Sequence, residues 1–552
     1  MISDADPYLD AALEQAWRLV ALVDRNPHSP TRGSFSRTHW AWKFSDFPYP
    51  RFQEGLYALA RFRELPHARN PLYRAPAVDD CLRWGFEYWA SRQHANGSFD
   101  EAYPNEQCLA ATAFTTFYMG HAYRRCRDVF APELRARLDS TFRRAGQWLC
   151  ENDETHGVLS NHLAVAAAAL ELLHQEFKVP AFATRARMFV DRILEYQSPE
   201  GWMREYDGAD IGYGTHGFFY LAAYWQMTGC ERTREGLERF AEFLGYFVHP
   251  DGTIGGEYAS RNTEFYYPAG LEMFASVSVH AASMAAYLRS AVSDRRVCGV
   301  WSMDDFNFMP MLNNLLFASE ALAACPGVAP LPHQCPAFTR LFADAGLWVI
   351  NRDEFYAVVG LSKGGTVSVF DKAARRLCAR HSGLTARRGT TRLTSQDYNL
   401  SPPVRMAADG ESVTLAVPWK ALNSTVFGPV LFLLFRIFTL TLGRFPAISR
   451  QVKELLVHVL IRRKTRPAIT HTRQIAVGDH GIEIRDQLTL PAGMSELSAV
   501  EQFTAVHMGS ALYADVRSAG TGAGVRQWPA CTTMRLHGML TTAGTTWSAE
   551  SD

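Results

Sequence analysis

The sequence predicts an α+β multidomain chain, with an N-terminal (α/α) toroid of helical hairpins followed by an antiparallel β-sandwich. Three observations predict it. Turn glycines recur at Gly97, Gly157, Gly201 and Gly252, spaced 60, 44 and 51 residues apart, and Gly33 is a weaker earlier copy. Each opens a few polar or aromatic residues and then a long apolar-periodic run, the signature of stacked supersecondary units whose equivalent loops gather on one face. The helical texture holds from about residue 8 to 325 and then gives way to short β-rich runs.

Within the first 325 residues, Leu159 to Leu173 is built from the best helix formers. Phe218 to Met227 and Arg234 to Phe247 form an apolar pair around the Gly229-Cys230 break. Two helices per repeat of about 50 residues predicts hairpins closing fully or partly into a ring, with an open solenoid as the alternative. Residues 326–340 hold Pro326, Pro330, Pro332 and Pro336 and read as a linker. From 341 to 552 come β-branched and aromatic runs separated by turn residues, at 347–350, 355–361, 366–370, 412–417 and 481–490.

One insertion, at about 424–466, breaks the sandwich pattern. Val426 to Leu442 carries Arg436 as its only charge, and an amphipathic stretch from Ser449 to Ile461 ends in Arg462-Arg463-Lys464. The run is short for a membrane span, and Arg436 is costly near a bilayer centre. A peripheral membrane contact through 426–464 is one reading. Packing on the sandwich or on a partner chain is the other.

Composition narrows the function classes. Of the 552 residues, 47% are hydrophobic and 20% charged, as in an ordinary globular protein of more than one domain. Lysine plus arginine equals aspartate plus glutamate at 56 each, so no excess of positive charge points to nucleic acid. The ten cysteines show no paired or zinc-like spacing, which fits free thiols in a reducing compartment, and no metal or cofactor is called for. The N-terminus lacks a basic start with an apolar core. A cytoplasmic protein is expected, peripheral at the inner membrane face if the insertion docks there. No oligomeric state is implied.

Chemistry concentrates in the later repeat loops. Asn161-His162 enters one helix, and 204–216 follows with Arg204, Glu205, Tyr206, Tyr213 and His216. A third loop holds Glu257, Arg261, Asn262 and Tyr266. On one cleft, Asn161, His162, Tyr213, Arg261 and Asn262 suit proton abstraction beside a carboxylate. An amide or arginine holds the carboxylate and stabilises the charge that forms, while tyrosine and histidine act as acid and base. The bland reading of Arg261 and Glu257 is an ion pair fixing the loop. Arg37, Lys43, Arg204 and Arg261 are candidate contacts for carboxylates or sulfates, and Trp40 for stacking on a sugar ring.

A helical toroid followed by a β-sandwich, with Asn161-His162 in one loop and Glu205 to Tyr213 about fifty residues on, resembles the heparinase II/III-like polysaccharide lyases and related uronate C5-epimerases. The resemblance implies Asn161 as carboxylate neutraliser, His162 as base or acid, Tyr213 as acid/base with Tyr206 competing, and His381 as a histidine lent by the sandwich. The implied substrate is an acidic polysaccharide or oligosaccharide containing uronic acid, attacked at C5. Loss of the 4-O-substituent by β-elimination makes the enzyme a lyase, and return of the proton on the other face makes it an epimerase. A toroid glycoside hydrolase is a second class, drawing its carboxylate pair from Asp100, Glu101, Glu205, Asp207, Asp210 and Glu257. A non-catalytic glycan-binding protein is a third.

Overall fold

The computed structural model describes residues 6–43, 45–154, 157–206, 208–322, 327–400, 404–422, 428–445, 448–449, 451–452, 467–501 and 525–551. Six helices form an inner ring: Gly55–Glu64, Leu109–Cys126, Ser160–Phe177, Ile211–Thr228, Ala269–Phe274 and Asp305–Ala321. Each packs on the next, and the sixth returns to the first, so the toroid is closed. These helices are apolar nearly all round. Leu163 to Leu173 has no exposed residue, which is what such a sequence requires. The outer helices Pro76–Arg92, Pro132–Glu151, Pro180–Glu195, Glu231–Gly245 and Val279–Ser293 bury one stripe each. Three of them begin with proline, whose fixed φ suits the first turn and whose missing N–H costs nothing there.

The glycine turns are one motif. Gly33, Gly97 and Gly201 take φ of 86°, 97° and 98°, and a side chain there would strike the backbone carbonyls of Trp84, Arg144 and Arg239 respectively. Each turn is therefore pressed against an outer helix. Gly157 differs, with open space where its side chain would be. Residues 155 and 156 beside it lie outside the described residues.

The sandwich begins within the stretch read as linker. Strands Phe338–Phe342, Leu347–Asn351, Phe355–Gly360, Thr366–Asp371 and Arg376–His381 form an antiparallel meander in chain order. This sheet is buried on both faces. Leu347, Val349, Tyr356 and Val358 join the core of the toroid. Trp348, Ile350, Ala357 and Val359 pack on the next sheet. That explains why 347–350 reads as an unbroken apolar run rather than an alternation.

The next sheet has six strands, in the order Val404–Met406, Ser412–Ala416, Thr470–Gly478, Gly481–Thr489, Thr533–Thr541 and Gly544–Ser551. A further five-stranded sheet, containing Leu384–Arg388 and Met494–Val500, covers the other end of the same inner face through Leu384, Leu497, Leu488 and Leu536. Within the insertion, Pro429–Leu440 is a helix. Among the described residues, no helix is long and apolar enough to cross a membrane. Among the described residues, nine cysteines are free thiols.

Candidate active site

The glycine-turn loops precede the inner helices, so the N-terminal ends of those helices share one face of the toroid. Their partial positive charge favours an anionic ligand on that face. Asn161 and His162 lie in the first turn of Ser160–Phe177. Beside them a small hairpin pairs Arg204–Glu205 with Gly208–Ala209, and Glu205 bridges back to Leu159. Ser160 Oγ donates to the Arg204 carbonyl at 2.7 Å. The Asn161 backbone N–H donates to Glu205 Oε1 at 2.8 Å, and its Nδ2 donates to Oε2 at 2.5 Å. The Asn161 amide oxygen is buried and has no hydrogen-bond partner among the described residues. Burial pushes the Glu205 carboxyl well above its usual range, although the bonds from Asn161 pull the other way.

His162 is tied through Nδ1 to Glu154 Oε2 at 2.7 Å. This bond assigns Nδ1 as the protonated nitrogen and leaves Nε2 as the acceptor. The His162 ring meets Phe114 edge-on at 5.8 Å. Arg51 lies over the other part of this floor, 4.0 Å from the Phe114 ring, bound to Glu54 at 2.7 Å and Glu101 at 3.2 Å. Burial alone pushes Glu101 up, but Arg51 and His162 beside it bring the carboxyl below its ordinary value. His216 stacks on Tyr267 at 4.1 Å and on Phe114 at 5.6 Å, with Nε2 on the Tyr220 hydroxyl at 2.8 Å. Burial, with Arg51 and His162 adding to it, holds His216 neutral.

Tyr213 lies in the first turn of Ile211–Thr228, where the capping Asp210 accepts its backbone N–H at 3.1 Å. Asp210 also accepts the Arg261 backbone N–H at 2.8 Å and the Thr263 hydroxyl. One carboxylate thus fastens the third loop to the second. The Arg261 guanidinium sits 4.0 Å from the centre of the Tyr206 ring, and Tyr206 has positive φ. Burial pushes the Tyr213 phenol up, the Tyr206 hydroxyl adds to this, and Arg261 opposes it. Tyr206 is likewise raised by burial and lowered by Arg261, and it feels the charges of Glu205, Glu101 and Glu154. Asn161, His162, Tyr206, Tyr213 and Arg261 therefore form one neighbourhood.

Other expected residues lie elsewhere. His381 is fully buried in the sandwich, 4.9 Å from Trp547, and does not line the cleft. The alternation along its strand and the turn beyond explains this: Arg380 and Ser382 face Glu257 across the domain boundary, so His381 faces the opposite way. Glu257 belongs to that domain boundary. It accepts the Ser382 hydroxyl and stands 3.7 Å from Arg380. The Asn262 amide oxygen is taken by Lys363 at 2.5 Å, a buried lysine that also donates to the carbonyls of Ala259 and Ser260.

Tyr266 is a core residue beside Tyr8 and Glu272, whereas its neighbour Tyr267 carries the stack on His216. Trp40 is half-buried, with its indole N–H on the Leu22 carbonyl at 2.9 Å. Arg204 lies 5.8 Å from the Tyr196 ring at the edge of the loop. Asp207 lies outside the described residues.

Sequence reasoning missed Glu154, Arg51, Tyr267 and Lys363. Glu154 lies eight residues before His162, in the irregular stretch ahead of the helix Ser160–Phe177, where no periodicity applies. Arg51 and Lys363 come from a non-glycine loop and from the sandwich, so only the folded chain brings them in. Among the described residues, no group of three or more metal-ligating side chains is arranged around a common point.

Residues 80–270, about a third of the chain, match the family model described as the Ulvan lyase N-terminal domain. The matched segment contains Glu154, Asn161, His162, Glu205, Tyr213 and Arg261. No curated protein sequence matches the chain. Among solved structures, heparinase III is 11% identical, covering 98% of this chain and 81% of its own, with a TM-score of 0.50. A chondroitin AC lyase from Streptomyces coelicolor A3 is 14% identical, covering 90% and 71%, with a TM-score of 0.48. At its identity the heparinase III likeness speaks for the fold alone, a helical toroid joined to a β-sandwich.

Proposed function

We propose that this chain is a polysaccharide lyase acting on a uronic-acid-containing glycan by removal of the C5 proton and β-elimination. The observation that carries the reading is the single turn of helix bearing Asn161 and His162, with the His162 tautomer held by Glu154 at 2.7 Å. The lyase domain matched over 80–270 supports the reaction class.

His162 Nε2 accepts the C5 proton. The electron pair left at C5 is delocalised into the uronate carboxyl group, where Asn161 stabilises it. Glu205 Oε2 accepts one N–H of the Asn161 amide and so orients it, which leaves the second N–H of that amide for the substrate. Collapse of this charge breaks the C4–O bond and forms the C4–C5 double bond. The leaving oxygen takes the proton of the Tyr213 hydroxyl, which burial keeps protonated at neutral pH. Arg261, over Tyr206, offers a cation to the substrate carboxylate or to the phenolate as it forms. Proton transfer from His162 through solvent resets Tyr213.

The glycoside hydrolase reading is disfavoured because its described carboxylates are engaged. Asp100 accepts the backbone N–H groups of Asn105 and Gln107. Glu101 binds Arg51, Glu205 binds Asn161, Asp210 caps a helix, and Glu257 binds Ser382. The test is incubation with a panel of uronate polymers in heavy water. Growth of the unsaturated-uronate absorbance supports the lyase. Deuterium at C5 without that absorbance supports a C5-epimerase instead.

A further inference from the structure

The apolar insertion leaves an exposed surface that neither the cleft nor the sandwich uses. Among the described residues, helix Pro429–Leu440 meets the toroid along one seam. Phe435 meets Tyr103 edge-on at 5.1 Å, Arg436 pairs with Asp46 at 2.6 Å, and the Thr439 carbonyl accepts Asn105 Nδ2 at 2.9 Å. The rest points to solvent: Val430 is 73% exposed, Leu433 59%, Leu434 58% and Ile437 52%. Leu442 and Phe445 continue the surface past the helix at 53% and 59%. So large a contiguous apolar face on one short helix marks an interaction surface.

Charge identifies the occupant. Residues 422–469 contain eight lysines and arginines against one acidic residue, Glu454, in a chain whose net charge is zero. An apolar helical face followed along the sequence by concentrated positive charge matches an anionic lipid surface, where apolar side chains enter the acyl boundary and basic ones meet the headgroups. A second protein chain would have to supply both an apolar groove and a strongly acidic rim. Arg436 is compatible with shallow docking, since its guanidinium is turned inward to Asp46. The 68%-exposed Trp42 stands four residues before Asp46, on the loop that Arg436 holds, and tryptophan favours the membrane interface.

We propose that Pro429 to Phe445 is a peripheral docking surface for a bilayer containing anionic lipid. The helix rests on the loop carrying Glu101 and Tyr103, so docking sets the candidate cleft beside the lipid surface.

The test uses the full chain in sedimentation with vesicles of phosphatidylcholine alone or mixed with phosphatidylglycerol. Wild type is expected to partition at least tenfold more onto the mixed vesicles, and less as salt rises. Leu433→Asp/Leu434→Asp is expected to reduce that partition at least tenfold with an unchanged circular dichroism spectrum. Replacing Arg462, Arg463 and Lys464 with glutamate is expected to remove the preference for phosphatidylglycerol. Equal binding by wild type and the aspartate variant overturns the proposal. So does absence of vesicle binding, whether the wild type is monomeric or forms a dimer that the aspartate variant abolishes; the dimer would assign the surface to a second copy.

Discussion

His162 Nδ1 and Glu154 Oε2 lie 2.7 Å apart, with the Glu154 side chain almost wholly buried and the histidine ring partly open. A buried carboxylate on one ring nitrogen fixes the orientation of the imidazole and presents the other nitrogen as a base. His162→Ala is expected to lower kcat by about 10²–10⁴-fold. Glu154→Gln should lower it by on the order of 10²-fold with KM little changed, because the base is misoriented rather than removed. Steady-state kinetics on a depolymerised substrate reads both.

Asn161 and Glu205 form the second pair. Asn161→Ala is expected to lower kcat by about 10²–10³-fold, the usual effect of deleting one donor to a developing oxyanion. Glu205→Gln keeps an acceptor for the Asn161 N–H groups and should keep most of the activity, whereas Glu205→Ala should not. The same pair gives a pH effect. The folded-state pKa of Glu205 lies above its unfolded value, so its stabilising contribution is full below the ordinary glutamate range and is lost as pH rises through the folded pKa. Glu205→Gln should therefore match wild type in thermal midpoint at about pH 4 and exceed it at neutral pH.

His381 tests the division of labour between the domains. With its ring in the sandwich core against Trp547, His381→Leu should leave kcat within about threefold of wild type, as an apolar replacement of similar volume does. A loss of several hundredfold, with an unchanged thermal midpoint, would return His381 to the chemistry.

Lys363 fastens the loop that carries Arg261. Lys363→Met leaves the carbonyls of Ala259 and Ser260 and the Asn262 amide oxygen without their donor, at a cost of about 1–3 kcal/mol. KM should rise more than kcat falls. Burial lowers the lysine to about 7, so the unfolded chain holds more protons than the folded one above that pH. Its contribution to stability therefore rises between about pH 7 and 10, and the variant should lack that rise in a thermal-midpoint profile.

Much of this architecture was legible because periodicity and turn chemistry are local. Gly33, Gly97 and Gly201 mark repeats that the chain does fold into, and the apolar runs at 159–173 and 347–350 lie where burial on every side demands them. The linker was less legible, because its prolines precede a strand, Phe338–Phe342, that pairs within the first sheet. The site divided along the same line. Asn161, His162, Tyr206, Tyr213 and Arg261 come from equivalent loops, so a repeat argument brings them together. His381 failed on a single step of strand alternation, and Tyr266 failed by one position, beside Tyr267, in a loop without strand structure. Such choices depend on which face a neighbouring domain covers, and that information is spread over distant residues such as Glu257 and Trp547.

The central claim is elimination at C5 of a uronate, and the most direct test is the ultraviolet absorbance of unsaturated uronate on a panel of uronate polymers. Wild type is expected to raise that absorbance on at least one polymer, with Asn161→Ala, His162→Ala and Tyr213→Phe each folded and at least 10²-fold slower. Depolymerisation without the absorbance, or activity that survives in all three variants, would contradict the account.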